Sequence, residues 1–237
     1  MLLLSLESSA VAASVCVTED EKLIAQSFQN CGLTHSRTLL PMVESLLQSI
    51  GMSLSQIDGY AIAYGPGSFT GVRIGVATVK GLAQATDKKC MGVSSLEAMA
   101  RALGPRPEII CAAMDARRHQ VYNALFQWQD GQFVRLTPDR AISLADLAEE
   151  LLSLGQSYVL VGDGANLCYN TWKEQIPNLS LAAPNLRYQS AYGVAAAALA
   201  GSGKWVEARA LLPFYLRAPQ AERERQAKSS PTGGNET

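Results

Sequence analysis

The chain has 237 residues, 48% of them hydrophobic and 17% charged, with a formal net charge of −1. Twenty basic residues balanced by twenty-one acidic ones exclude a protein that holds nucleic acid unaided, because such binding rests on a surplus of Lys and Arg at phosphates. Five scattered cysteines without a CxxC pair exclude a disulfide framework, and two distant histidines, His35 and His119, exclude a histidine-based zinc site.

Leu2–Glu7 and residues 12–18 read as two short strands around the polar turn ESSA, and EKLIAQSFQ as a third strand of an antiparallel meander. The leucine-rich start carries no Lys or Arg before Lys22 and is interrupted by Glu7, so it does not read as a secretion signal. No run reaches the ~20 apolar residues of a membrane span, and a soluble cytoplasmic protein is expected. Residues 36–50 carry helical spacing, with Leu39, Val43, Leu46 and Ile50 on one stripe and Leu40 and Leu47 beside it. Thr34 or Ser36 is expected to cap this helix, Gly51 to end it, and Pro41 to fall near its first turn. IDGYAIAYG is a strand, GPGSFTG a loop, residues 72–85 a helix, CMGVS a short strand and SLEAMARAL another helix.

GPRPE at 104–108 is the clearest internal boundary. Beyond it the opening plan returns: IICAAMDARRHQVYNALFQW is again strand, acid, turn and strand, with Asp115 standing where Glu7 stood. SLADLAEELLSLG reads as a helix, YVLVGDGA as a strand entering a glycine turn, SAYGVAAAALAGSG as a small-residue helix and LLPFYLRAP as a short terminal segment. These elements predict an α/β fold of two lobes, each a mixed sheet flanked by helices. Residues 1–103 form the first lobe, completed by 190–216; residues 104–189 form the second; 217–237 is a polar tail expected to be disordered.

The loop Gly65, Pro66, Gly67, Ser68, Phe69, Thr70 poses the main question. A phosphate-binding P-loop needs GxxxxGK[ST], and no Lys is present; a dinucleotide fingerprint needs GxGxxG, and this loop is one residue too long. Its place between strand and helix leaves anion binding by backbone N–H groups open. The structural reading is a corner in which Pro66 stiffens the turn, Gly67 and Gly71 adopt unusual backbone angles and Thr70 caps the helix. Gly71 and Gly75 leave one helix face bare beside an apolar stripe of Val72, Val76, Val79 and Ala83. Together with the helix over 36–50, this is more apolar surface than one sheet needs. Either both helices are sandwiched inside the lobe or one face meets a partner, and spacing does not decide between them.

GPGSFTGVRIGVATVKGLA, MDARRHQVYNALF, VGDGA and LPFYLRAP, in this order and spacing, resemble the TsaB (YeaZ) family over roughly residues 1–218. The resemblance implies the actin-like (ribonuclease H-like) two-lobe fold. It also implies a non-catalytic subunit of the bacterial machinery that makes threonylcarbamoyladenosine in tRNA. TsaD, the paralogue, transfers a threonylcarbamoyl group to N6 of the adenosine beside the anticodon. This chain would bind TsaD through its first-lobe helices, with the small ATPase TsaE completing the assembly and tRNA met only within it. The same face would serve a homodimer when TsaD is absent. ATP would be used by the complex, with no cofactor held by this subunit alone. The interface expected on this basis comprises Leu39, Leu40, Val43, Leu46, Leu47, Gly71, Val72, Gly75, Val76, Val79 and Ala83. At the positions matching the HxxxH metal ligands of TsaD stand Ser95 and Met99, a poor donor pair for a divalent ion.

Glu7 and Asp115, with Gly162, Asp163 and Gly164, are the candidates for facing a nucleotide in the manner of actin-like enzymes. The alternative function is therefore an ATP-dependent phosphotransferase or ATPase using Glu7 or Asp115. The other reading of both acids is that each caps a turn. Arg117 and Arg118 suit a phosphate, a tRNA contact or a plain surface pair. A metallopeptidase, suggested by an older name for the wider family, finds no HExxH here.

Overall fold

A computed structural model describes residues 1–217; the remainder of the expected tail lies outside the described residues. Strands β1 (Leu2–Glu7), β2 (Ala13–Glu19) and β3 (Lys22–Gln29) form the antiparallel meander. Helix α1 (His35–Ser49) returns the chain to β4 (Gly59–Gly65), parallel to β1. Helix α2 (Phe69–Thr86) then leads to β5 (Lys89–Ser94), parallel to β4, giving the order β3-β2-β1-β4-β5. After α3 (Ser95–Ala102) the plan is repeated. Strands β6 (Ile109–Asp115), β7 (Gln120–Gln129) and β8 (Gln132–Arg135) form the second meander, to which β9 (Arg140–Ser143) adds against β7. Helix α4 (Leu144–Leu154), β10 (Tyr158–Val161), α5 (Ala165–Trp172) and β11 (Leu179–Leu181) complete a sheet ordered β8-β7-β6-β10-β11. Last comes α6 (Ala191–Leu199). The two sheets share one connectivity, which is the duplicated actin-like architecture.

Period-two alternation sends successive strand residues to opposite faces, and both faces here are apolar. Leu4, Leu6, Val15, Val17, Tyr60 and Ile62 meet α1 and α2 on one side of the first sheet. Leu3, Cys16, Ala61, Ala63, Met91 and Val93 share a core with Ala98 of α3 and the alanines of α6 on the other. The opposite side of α3, with Leu96, Met99 and the C-cap residue Leu103, packs on Ile110, Ala112, Met114 and Phe126 of the second sheet. Helices α4 and α5 cover that sheet's outer face. The layers therefore run α1/α2, sheet, α3/α6, sheet, α4/α5. Helices α3 and α6 cross closely because Gly193 has no side chain; a Cβ there would lie 2.2 Å from Ala98 O. Glu97 of α3 ties the layers laterally, pairing with Arg101 at 2.8 Å and with Arg135 of β8 at 2.9 Å and accepting from the Ser202 hydroxyl. Burial alone would raise its carboxyl, but Ser202 and the two guanidinium groups prevail and hold it below the usual range.

Several local expectations need correction. Helix α2 starts at Phe69 because Ser68, not Thr70, is its N-cap and accepts the Gly71 N–H. Thr34 is the N-cap of α1 but makes no side-chain cap bond, and Pro41 is the seventh residue of that helix, not in its first turn. Strands β8, β9 and β11 and helix α5 have no counterpart among the expected elements: three or four residues show no period, and ANLCYNTW has no continuous apolar stripe. Among the described residues no helix is long and apolar enough to cross a membrane.

Candidate functional site

The stripe expected to meet a partner is the one that covers the sheet. Leu39, Val43, Leu46, Leu47, Val72, Val76, Val79 and Ala83 all belong to the first-lobe core. Gly71 and Gly75 are buried as well. Of the eleven residues, Leu40 alone is exposed, at 45%. The physical reason is that β4 and α2 are joined by a tight corner, so the apolar side of α2 has nowhere to turn but onto β1 and β4. The outward side of the same two helices carries Leu40 from α1 and Thr70, Arg73, Ala77, Gly81 and Gln84 from α2.

The glycine loop is filled by the protein itself. Ser68 N–H donates to Ser9 O at 2.6 Å, and Val72 N–H donates to Ser68 O at 2.9 Å. The Ser8 hydroxyl donates to Gly71 O at 3.0 Å. A Cβ on Gly67 would stand 2.3 Å from Ser9 O, one on Gly71 2.1 Å from Ser8 O, and one on Gly75 2.3 Å from Ser8 Oγ. The backbone of the β1–β2 turn thus packs directly onto the glycines of this loop. Gly71→Ala is expected to lower the unfolding free energy by about 2–3 kcal/mol, because the obstructing carbonyl is backbone and cannot rotate away. Gly81→Ala, whose Cβ meets nothing within 4 Å, is expected to be neutral or slightly stabilising. Urea melts of the two variants check the contrast.

The second lobe repeats this device. Gly162 (φ +109°) would place a Cβ 2.1 Å from Ala113 O, and Gly164 would place one 3.0 Å from Asp115 N, so the GDG turn presses on the end of β6 as the first loop presses on the end of β1. Between the two turns, beyond the carboxyl ends of β1, β4, β6 and β10, lies a cleft of about 610 Å³. Ser9, Gly67, Asp115 and Asp163 line it, with Phe69, Tyr122, Tyr188 and the segment Phe214, Tyr215, Leu216, Arg217 as walls. This is where ligands of open α/β sheets bind.

Of the candidate acids, Asp115 and Asp163 line this cleft, whereas Glu7 does not reach it. Glu7 is fully buried beneath the Ser8–Ser9 turn, its Oε1 accepting Ser9 N–H at 2.5 Å. Burial pushes its carboxyl up to about 7, against the Ser9 hydrogen bonds and with the charge of Asp163 adding to the rise. Asp163 is raised by burial, partly offset by the Gln189 amide 2.7 Å away. Asp115 Oδ1 accepts Arg117 N–H at 2.7 Å, so Glu7 and Asp115 each cap the turn that follows them. Arg117 reaches Asp115 at 3.9 Å with its side chain largely in solvent, and Arg118 is exposed on the same turn. Ser95 and Met99 are both buried, Met99 against the GDG turn, and a hydroxyl and a thioether in a packed core do not fit a divalent cation.

The terminal segment contributes residues for which spacing gave no role. Phe214 N–H donates to Tyr64 O at 2.8 Å, and a Cβ on Gly65 (φ +131°) would collide with Phe214 O. The Tyr215 ring packs on Phe69 at a 30° tilt with 4.8 Å between centroids, and its hydroxyl accepts Arg73 Nε–H at 2.9 Å. Arg217 crosses to the second lobe and donates to Ala116 O at 3.2 Å. The segment is a strap over the glycine corner; its only signal in the sequence was a cluster of aromatic residues in LLPFYLRAP.

The chain is similar to several known proteins. The family model of TsaD, tRNA N6-adenosine threonylcarbamoyltransferase, matches residues 29–224. The tRNA threonylcarbamoyladenosine biosynthesis protein TsaB of Bacillus subtilis is 31% identical over 225 residues, covering 94% of this chain and 96% of that protein. Its namesake in Escherichia coli is 34% identical over 167 residues, 69% of this chain and 72% of that one. The solved structure of YeaZ from Pseudomonas aeruginosa aligns with a TM-score of 0.71 at 30% identity, over 91% of this chain and 99% of that one.

Proposed function

This chain belongs to the TsaB family, and from that premise we propose that it serves tRNA threonylcarbamoyladenosine biosynthesis as a docking subunit without chemistry of its own. Its partner is the TsaD transferase, with the ATPase TsaE joining the pair, tRNA reached only through the assembly, and the cytoplasm as its setting. The observation that carries this reading is the self-packed glycine corner: the Ser68 and Gly71 N–H groups are taken by Ser9 O and Ser68 Oγ, and the Ser8 and Ser9 carbonyls press on Gly71 and Gly67. The buried Ser95 and Met99 add a second reason, since the family's transferase chemistry calls for metal ligands there.

Docking uses the outward side of α1 and α2, at Leu40, Thr70, Arg73, Ala77, Gly81 and Gln84. Small residues at Ala77 and Gly81 allow a partner helix to approach closely, and the same side can pair two copies of this chain when the transferase is absent. Light scattering of the purified chain mixed with the transferase of the same organism is expected to give the summed mass of a complex. Two separate masses at micromolar concentrations would refute the reading. The alternative, an ATP-dependent phosphotransferase, has less support, because Glu7 is sealed under its turn with 0% exposure. Calorimetric titration of the chain alone with ATP and magnesium is expected to show no binding heat.

A further inference from the structure

We infer that Arg73 is a preorganised receptor for a carboxylate, and that this carboxylate lies on the helix of the transferase that docks against α2. The inference rests on the docking reading above and names the chemistry of its anchor.

Arg73 is exposed on the outward side of α2, yet its guanidinium is not loose. It lies 3.8 Å from the centroid of the Phe69 ring and 5.9 Å from that of Tyr215. Its Nε donates to the Tyr215 hydroxyl at 2.9 Å, and the Tyr215 ring packs on that of Phe69 at a 30° tilt with centroids 4.8 Å apart. The neighbouring Phe214 N–H to Tyr64 O bond anchors the strap that carries Tyr215. The plane and azimuth of the guanidinium are therefore set before any partner arrives. Its two terminal nitrogens have no hydrogen-bond or ion-pair partner among the described residues, whereas Nε and one face of the guanidinium are engaged.

Two parallel N–H donors at the end of a guanidinium match the two oxygens of a carboxylate, and such bidentate pairs are stronger and more directional than single contacts. A free arginine loses rotamer freedom when it is captured; here the ring stack and Tyr215 have already removed it, so less is lost on binding. Stacking on an aromatic face also strips water from one side of the cation without neutralising it. The adjoining outward residues, Thr70 and Ala77, are uncharged, so no acid of this chain's own helix competes for the fork. Rigid arginines with aromatic support at the centre of a contact are where binding energy concentrates.

Titration calorimetry of the purified transferase into wild type, Arg73→Ala, Arg73→Lys and Tyr215→Phe tests the proposal. Arg73→Ala is expected to bind at least thirtyfold more weakly, and Arg73→Lys at least tenfold more weakly, since an ammonium group cannot span both oxygens. Tyr215→Phe keeps the stack but removes the acceptor of Nε–H, and a fivefold loss is expected. Because Tyr215 acts through Arg73, adding Tyr215→Phe to Arg73→Ala is expected to cost nothing further. An Arg73→Ala affinity within threefold of wild type would overturn the inference, as would full rescue by lysine. Failure of wild type to bind would instead defeat the docking reading from which the inference starts. Loss of self-association in Arg73→Ala, with transferase affinity unchanged, would place the carboxylate on a second copy of this chain and likewise overturn it.

Discussion

Val76→Glu is expected to abolish folding, whereas Ala77→Glu, one residue further along α2, leaves the chain folded and unable to hold the transferase. Val76 is 3% exposed in a core with Leu6, Val43 and Ile62, where no cation is available to pair with a carboxylate. Burying that group, ionised or protonated, costs about 5 kcal/mol or more, which rivals the ~5–15 kcal/mol of a typical domain's whole stability. Ala77 points to solvent, so a glutamate there carries no such penalty in the isolated chain. On docking it would place a bulky charge where a helix must approach. Circular dichroism melts of both variants, with transferase pull-down of the folded one, check the pair of outcomes. A Val76→Glu protein melting like wild type would show that the valine stripe does not face the sheet.

Glu7→Gln is expected to flatten the dependence of stability on pH. The native chain holds the Glu7 proton more tightly than the unfolded chain, with its carboxyl raised from 4.5 to about 7 by burial. The contribution is therefore fully present below about pH 4.5, declines as the pH rises, and is lost above pH 7. The loss amounts to about 3 kcal/mol from this one group. Glutamine retains an acceptor for Ser9 N–H and never ionises. At pH 8 the variant is expected to be the more stable protein by up to ~3 kcal/mol, the difference vanishing toward pH 4.5. Asp163 is raised in the same direction and its charge adds to the rise of Glu7, so the difference between the two profiles reports Glu7 together with its coupling to Asp163. Urea melts from pH 4.5 to 8 measure it; parallel profiles would mean that the carboxyl is not held neutral at all.

Much of the architecture is legible in the amino-acid order. The two strand–acid–turn–strand hairpins, the glycine corner and the capped, periodic helices each carry strong local signals, and their repetition announces two lobes of one plan. What spacing does not reveal is which side of α2 looks inward. Its valines look equally suited to a partner and to a sheet, and only the adjacency of β4 decides for the sheet. The outward side is hard to read for the opposite reason, since Thr70, Ala77 and Gly81 give no apolar signal. Arg73 becomes notable only once Tyr215, 142 residues later in the chain, is folded back onto it. The acids stand out because their hairpins repeat, but the burial that makes Glu7 unusual depends on Ser8 and Ser9 closing over it.

Helix α3 belongs to both lobes at once, giving Ala98 to one core and Leu96, Met99 and its C-cap Leu103 to the other. The boundary so visible at GPRPE is therefore a boundary of ancestry and not of cooperativity. Severing the chain there would strand a helix with one greasy side uncovered and remove the roof of the second sheet. Neither half inherits a complete interior, and the duplicated molecule stands or melts as one body.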